Sequence, residues 1–275
     1  MRPKGLIRLL LTGCLLLLLS GCTFGATVDA LLTPPHLRGE QEQIYQALEN
    51  AVGNRITLQY PRSGDHLSAV MISDLDGDGQ DEAAVFYRKE SSLSTENALR
   101  LNLLDQADGT WMSVCDLPAE GAEVDRGFTA DIGGRQRLII GYSQVDQSDK
   151  ALVVYNYEGG TLAKSFTVSY SSFDVADLDG DDQSELLILK AAEGEHAAEA
   201  AVYVPDAQDH YTRYSLTLQG KTTEYSQVLC GNTQGKQTAI YLDGIVGATT
   251  MQTEVLQFDG KKLSYLVPTG SDAVS

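Results

Sequence analysis

Basic residues are scarce in this 275-residue chain: 20 Lys and Arg stand against 38 Asp and Glu, a net charge of −18. So acidic a chain is not built to dock on nucleic acid or on anionic lipid through charge. Histidine is scarcer still. His36, His66, His196 and His210 are scattered, and none has a zinc-ligand spacing to another. There is no Gly-x-Ser-x-Gly elbow and no Gly-rich phosphate loop. Cysteine is limited to Cys14, Cys22, Cys115 and Cys230. The last two fall in different segments and read as two buried thiols, although an exported pair can form a disulfide. The longest apolar stretch, residues 9–19, is too short to span a bilayer.

What is present begins with an address. Arg2, Lys4 and Arg8 precede the apolar stretch, and Leu19-Ser20-Gly21-Cys22 ends it. That order is a secretory signal. Its end resembles a bacterial lipobox, which implies lipidation of Cys22 and a lipid anchor at the extracytoplasmic face of the cell membrane. The expected domains are a signal at 1–21, a tether at 22–38, a helix and leading strand at 39–65, four repeats over 66–268, and a tail at 269–275. In the helix, Ile44, Leu48 and Val52 fall at i, i+4 and i+8. Residues 56–60 alternate like a strand, and Pro61 ends it.

From about His66 the chain is periodic. Asp74, Asp131, Asp177 and Gly231 anchor four similar segments, at about 66–118, 124–168, 171–219 and 225–268. Each reads as four strands, with hairpin signals at Asp108-Gly109, Gly159-Gly160, residues 205–209 and Asp259-Gly260. The expected fold is all-β: a β-propeller-like array of four four-stranded antiparallel sheets with a short N-terminal helix. Four sheets are the minimum for a closed ring. Residues 56–60 could complete such a ring, or the array could be open.

The first hairpin of the first segment carries Asp74-Leu75-Asp76-Gly77-Asp78-Gly79-Gln80-Asp81-Glu82. A worn copy stands at Asp177-Leu178-Asp179-Gly180-Asp181-Asp182-Gln183-Ser184-Glu185. Carboxylates at alternate positions of a tight loop repel unless a cation sits among them, and hard oxygen ligands favour Ca²⁺. Position 12 is Val85 and strands flank the loop, so it is not an EF-hand. The expected ligands are Asp74, Asp76, Asp78, the Gln80 carbonyl and Glu82, and then Asp177, Asp179, Asp181, Gln183 and Glu185. Asp182 replaces the glycine best suited to the turn. The second and fourth segments have lost most of these carboxylates.

This loop followed by an apolar strand resembles the calcium loop of FG-GAP or VCBS repeats, as in integrin α-subunits. The resemblance implies a propeller in which calcium is structural. With no catalytic constellation legible, the chain is expected not to be an enzyme. The function it suggests is binding or scaffolding at the cell envelope, with an unknown protein or glycan partner and no nucleic acid. Alternatives are an envelope enzyme acting on polysaccharide or another surface substrate, and an accessory or spacer subunit. Tyr211, Tyr214 and Tyr225 could form a ligand platform, or pack between sheets.

Overall fold

The computed structural model describes residues 39–90, 98–144, 150–232, 238–247 and 250–266. The signal, Cys22, the tether and the tail lie outside them. Helix α1, Glu40–Val52, is followed by four antiparallel sheets. Sheet I holds β1 (Ile56–Leu58), β2 (Val70–Ser73), β3 (Glu82–Lys89), β4 (Arg100–Ala107) and β5 (Thr110–Pro118). Sheet II holds β6 (Glu123–Asp131), β7 (Gln136–Ser143), β8 (Lys150–Glu158) and β9 (Thr161–Tyr170). Sheet III holds β10 (Ser172–Ala176), β11 (Glu185–Lys190), β12 (Glu199–Pro205) and β13 (Tyr211–Thr217). Sheet IV holds β14 (Thr222–Asn232), β15 (Thr238–Val246), β16 (Thr250–Phe258) and β17 (Leu263–Tyr265). Sheets II to IV run in simple sequence order, which is the expected all-β array.

Hairpin chemistry sets the strand ends. Asp108 and Gly109 both have positive φ, as do Gly159 and Gly160, the backbone that a two-residue β-turn twisted with its strands requires. Burial sets the sheet order. Ala84, Phe86, Leu101 and Leu103 of sheet I pack against Leu138, Ile140, Val153 and Tyr155 of sheet II. Ile139, Leu152 and Val154 of sheet II meet Phe173, Leu186 and Ile188 of sheet III. Leu187, Leu189 and Val202 of sheet III meet Ile240, Leu242, Leu256 and Phe258 of sheet IV. Strands β3, β7 and β11 therefore read as nearly continuous apolar runs, since both of their faces are covered.

Of the two alternatives for residues 56–60, completion of a ring with the last sheet is the one that the pairing of β1 replaces. Residues 56–58 do not pair with the last sheet. They pair with β3 at Tyr87–Lys89, because β2 occupies only Glu82–Val85 and leaves the far half of that edge free. Ile44 and Leu48 of α1 pack with Val70, Ala83, Val85, Leu104 and Trp111 on the outer face of sheet I. Cys115 and Cys230 are both free thiols, half-buried in separate sheets.

Close packing leaves no slack over Gly141, where Tyr170 of the same sheet and Phe173 of sheet III both lie against the backbone. A Cβ added at Gly141 would stand 2.1 Å from the Tyr170 hydroxyl, which donates to buried Asp125. Gly141→Ala is expected to cost about 1–3 kcal/mol through this overlap. Urea unfolding checks it, and an unchanged midpoint would show that the Tyr170 side chain yields freely.

Candidate metal centre and adjoining cavity

In the first acidic loop, Asp74 folds the chain around its own carboxylate. Its Oδ1 accepts from the Gly77 N–H at 2.7 Å and its Oδ2 from the Gly79 N–H at 3.0 Å. Asp78 Oδ1 accepts from the Gln80 N–H. Gly77 and Gly79 take positive φ, so the loop reverses twice in five residues. The second loop repeats this: Asp177 accepts from Gly180 and Asp182, and Asp181 accepts from Gln183. Asp182 adopts the left-handed backbone at φ 67° where the first loop has Gly79, a conformation that Asp tolerates better than most residues.

Asp74, Asp76 and Asp78 each offer an oxygen within 4.8 Å of the others, and so do Asp177, Asp179 and Glu185. Either cluster could coordinate a divalent cation. Glu82 and Glu185 open the following strands and are almost fully buried. Each uses one oxygen to accept a backbone N–H, from Leu75 and Leu178 respectively. Glu82 Oε1 and Asp179 Oδ1 are buried without a hydrogen-bond partner. A buried, unpartnered carboxylate oxygen is costly, and a cation between such oxygens removes that cost. The residues therefore fit a hard metal ion. Burial, with repulsion from Asp76, Asp105 and Asp74, pushes the Glu82 carboxyl up to about 7 against the opposing Leu75 N–H. Burial, with repulsion from Asp179, Asp181 and Asp177, pushes Glu185 up to about 7 as well. Asp76 and Asp179 are raised too, first by burial and then by their neighbours' charges.

The structure does not bring every expected ligand to the clusters. Glu82 is not in the mutual Asp74, Asp76 and Asp78 group but feels the charges of Asp76 and Asp74, and Asp181 lies outside its group but acts on Asp179 and Glu185 in the same way. The side chains of Gln80 and Gln183 turn back on Asp78 and Asp181. The second loop is instead closed over by sheet IV. Thr238 Oγ1 donates to the Asp177 carbonyl, and only a glycine at 260 clears Asp179 Oδ2.

In sheet II an arginine stands where the loops have their glutamate. Ser73 pairs with Glu82 and Ala176 with Glu185, while Ala130 pairs with Arg137. Arg137 is 1 % exposed and donates to the Ile132 carbonyl, Asn156 Oδ1 and Asp209 Oδ1. Asn156 also donates to Asp209 Oδ2. Although partial burial works against it, this set of donors holds the Asp209 carboxyl below the usual carboxylate range. The metal-poor hairpin thus carries a cation of its own, and it ties sheet II to the β12–β13 turn of sheet III. Sequence reasoning missed Arg137. Pairing Arg137 with Glu82 and Glu185 in the repeat alignment is the signal that finds it.

Between the first acidic loop and the turns of sheet II lies a cavity of about 270 Å³. Asp76 forms one wall, and Arg135, Gln136, Asn156, Tyr157 and Glu158 form the other. Gln136 donates to Ser73 and Tyr157 donates to Asp105, which fixes the floor. The Tyr157 hydroxyl is raised, chiefly by burial and then by the Asp105 carboxylate. Arg135 and Glu158 are exposed at the rim and meet only at 4.0 Å. The three tyrosines considered as a platform are instead packed between sheets. Tyr211 stacks on Phe166 at 4.2 Å, Tyr214 tilts onto Phe258, and the Tyr225 hydroxyl donates to the Lys190 carbonyl.

No family model matches this chain, and no curated protein does. Among solved structures it is similar to the exotype rhamnogalacturonan lyase YesX, with 16 % identity and a TM-score of 0.37 over 76 % of this chain and 48 % of that one. It is similar to the rhamnogalacturonan lyase YesW, with 17 % identity and a TM-score of 0.36 over 79 % and 50 %. It is also similar to the Bacillus licheniformis rhamnogalacturonan lyase PL11, with 12 % identity and a TM-score of 0.27 over 79 % and 59 %. The chain spans about half the length of the first two. Membership of the FG-GAP or VCBS family, and with it the lipoprotein reading and the integrin-like propeller, is corrected: no family model matches this chain. The expectation of a non-catalytic binding or scaffolding protein is built on that resemblance and is corrected with it. Among the described residues no helix is long and apolar enough to cross a membrane.

Proposed function

We propose that this protein is an extracytoplasmic enzyme acting on a polysaccharide, with Ca²⁺ in the first acidic loop and the substrate in the cavity beside it. One observation carries the reading: Asp76 of the cation cradle shares a polar cavity with Arg135 and Glu158, whose head groups are not committed to the core. The basic and apolar segment at residues 2–19 supports export. Ca²⁺ takes 6–8 oxygen ligands, more than three aspartates and one carbonyl supply, so when bound it offers open positions for water or sugar oxygens. Around it, Asp74, Asp76 and Asp78 fix the cradle, Arg135 orients an acidic or hydroxyl group, and Tyr157 shapes the floor. Glu158 is the carboxylate placed to move a proton at the scissile sugar.

The test is release of new reducing ends from a panel of plant and bacterial polysaccharides. The wild-type protein with calcium should cleave at least one of them. Glu158→Gln should lower that rate by about 100-fold or more while leaving the melting temperature unchanged. No cleavage of any polysaccharide, or full activity in Glu158→Gln, would overturn the assignment.

A further inference from the structure

Strand register extends the repeat beyond the acidic loops. In sheet II, Leu138 pairs with Tyr155, so the next position sets Arg137 opposite Asn156, and their side chains meet at 2.6 Å. In sheet I, Ala83 pairs with Leu104, so the next position sets Glu82 opposite Asp105. In sheet III, Leu186 pairs with Tyr203, so Val204 stands opposite Glu185. Side chains directly opposite on an antiparallel pair have Cβ atoms ~5 Å apart, and like charges there repel. Sheet I therefore faces two carboxylates where sheet II joins a guanidinium to an amide. Sheet III has only one carboxylate at this place.

No lysine or arginine pairs with either acid of sheet I among the described residues. Glu82 is 1 % exposed; its Oε2 accepts from the Leu75 N–H and its Oε1 is buried without a partner. Asp105 accepts from the Tyr157 hydroxyl through Oδ2 at 2.8 Å, which leaves Oδ1. Asp76 accepts from the Asp78 N–H through Oδ1, which leaves Oδ2. Each of the three acids thus keeps one oxygen uncommitted. Burial is the first cause of the raised Asp76 and Glu82 carboxyls, and among the charges acting on each, Asp105 ranks ahead of Asp74.

We propose that Asp105 is a further ligand of the first loop's cation, bound together with Glu82 Oε1 and Asp76. This rests on the reading that the first loop holds the ion, and it names what sets that loop apart from the second. Without a cation, repulsion keeps Glu82 and Asp105 out of the mutual Asp74, Asp76 and Asp78 group, and binding brings them in. With the Gln80 carbonyl the set reaches six oxygens, so about two of the 6–8 positions of Ca²⁺ stay open to water or a sugar. Through its bond to Tyr157, Asp105 also ties the cation to the cavity floor. The second loop, with Val204 at the equivalent place, has one ligand fewer.

The test uses Tb³⁺, a calcium-sized ion with the same preference for oxygen, on the full chain carrying Asp179→Asn so that only the first loop reports. Luminescence lifetimes in H₂O and D₂O count the waters on the bound ion. Asp105→Val, which installs the residue of sheet III, should weaken binding about ten-fold or more and add about one water. Asp105→Asn keeps an oxygen and an acceptor for Tyr157, so it should weaken binding without adding a water. Thermal melts of the chelated variants establish that each is folded. Unchanged affinity in either variant would overturn the proposal. Weaker binding of Asp105→Val with an unchanged water count would make Asp105 a distant charge and overturn it too. No Tb³⁺ binding by the parent would overturn the cation reading of the loop and this proposal with it. Polysaccharide cleavage enters none of these measurements, so its absence leaves Asp105 as a ligand.

Discussion

Arg137→Ala will cost about 3–5 kcal/mol, the range for removing one partner of a buried ion pair. For a domain of this size that corresponds to a fall in melting temperature on the order of 10 °C. The reason is what stays behind. The guanidinium is 1 % exposed, and its loss strands the Ile132 carbonyl, Asn156 Oδ1 and the Asp209 carboxylate at a sheet–sheet junction. Water would have to enter that junction to solvate Asp209. Arg137→Met keeps most of the volume but not the donors, and it should recover only the packing share. Pairing each variant with Asp209→Asn separates the two: the double variant should be less destabilised than the sum of the singles, since the uncompensated charge is gone. Arg137→Glu restores the residue type of the acidic loops, yet it places a carboxylate against Asp209 and should be the worst of the series. A melting temperature for Arg137→Ala within 2 °C of wild type, on the order of a 1 kcal/mol change, would show that the junction is already wet.

How much of this was legible in the sequence depends on the range of the interaction. The acidic loops could be read because their geometry is local: Asp74 bonds Gly77 and Gly79, a few residues away. The hairpins could be read for the same reason, since Asp108-Gly109 and Gly159-Gly160 carry their turn conformations in their own backbones. The four-sheet array followed from apolar runs such as Ala83–Tyr87, which need two covered faces. The place of β1 was not legible. It depends on β2 covering half of an edge of β3, a competition between strands that no single strand encodes. The seat of α1 was hidden similarly, because an amphipathic stripe states that it needs an apolar surface and not which one. Arg137 was hidden by distance: Asp209 is 72 residues away. Glu158 was hidden by ordinariness, as one acid among 38 until the cavity sets it opposite Asp76.

Calcium will stabilise this protein most at alkaline pH. Without the ion, Glu82 and Glu185 titrate near 7 in the folded chain, above the 4.5 of a free glutamate, chiefly because burial disfavours their charge. The sign follows from proton binding. Between about pH 4.5 and 7 the folded state holds protons that the unfolded state has lost, so stability falls as pH rises through that window. The chelated protein should therefore melt lower at pH 8 than at pH 5. Metal binding needs the carboxylates ionised, so the ion gains affinity over the same window and releases protons as it binds. At 10 mM calcium, with a dissociation constant on the order of 10⁻⁴–10⁻³ M, each loop gains about 1.4–2.7 kcal/mol. Two occupied loops should then raise the melting temperature at pH 8 on the order of 10 °C, and the rise should shrink at pH 5. The loops can be told apart. Asp76→Asn should remove part of the shift and also the calcium dependence of any polysaccharide cleavage, since Asp76 walls the cavity. Asp179→Asn should remove the remaining shift and leave that cleavage dependent on calcium as before, because its loop is closed over by Thr238 and Gly260 of sheet IV. Differential scanning calorimetry with and without EDTA at the two pH values decides it. A melting temperature indifferent to both calcium and pH would mean that the buried carboxylates stay protonated and the loops hold no ion.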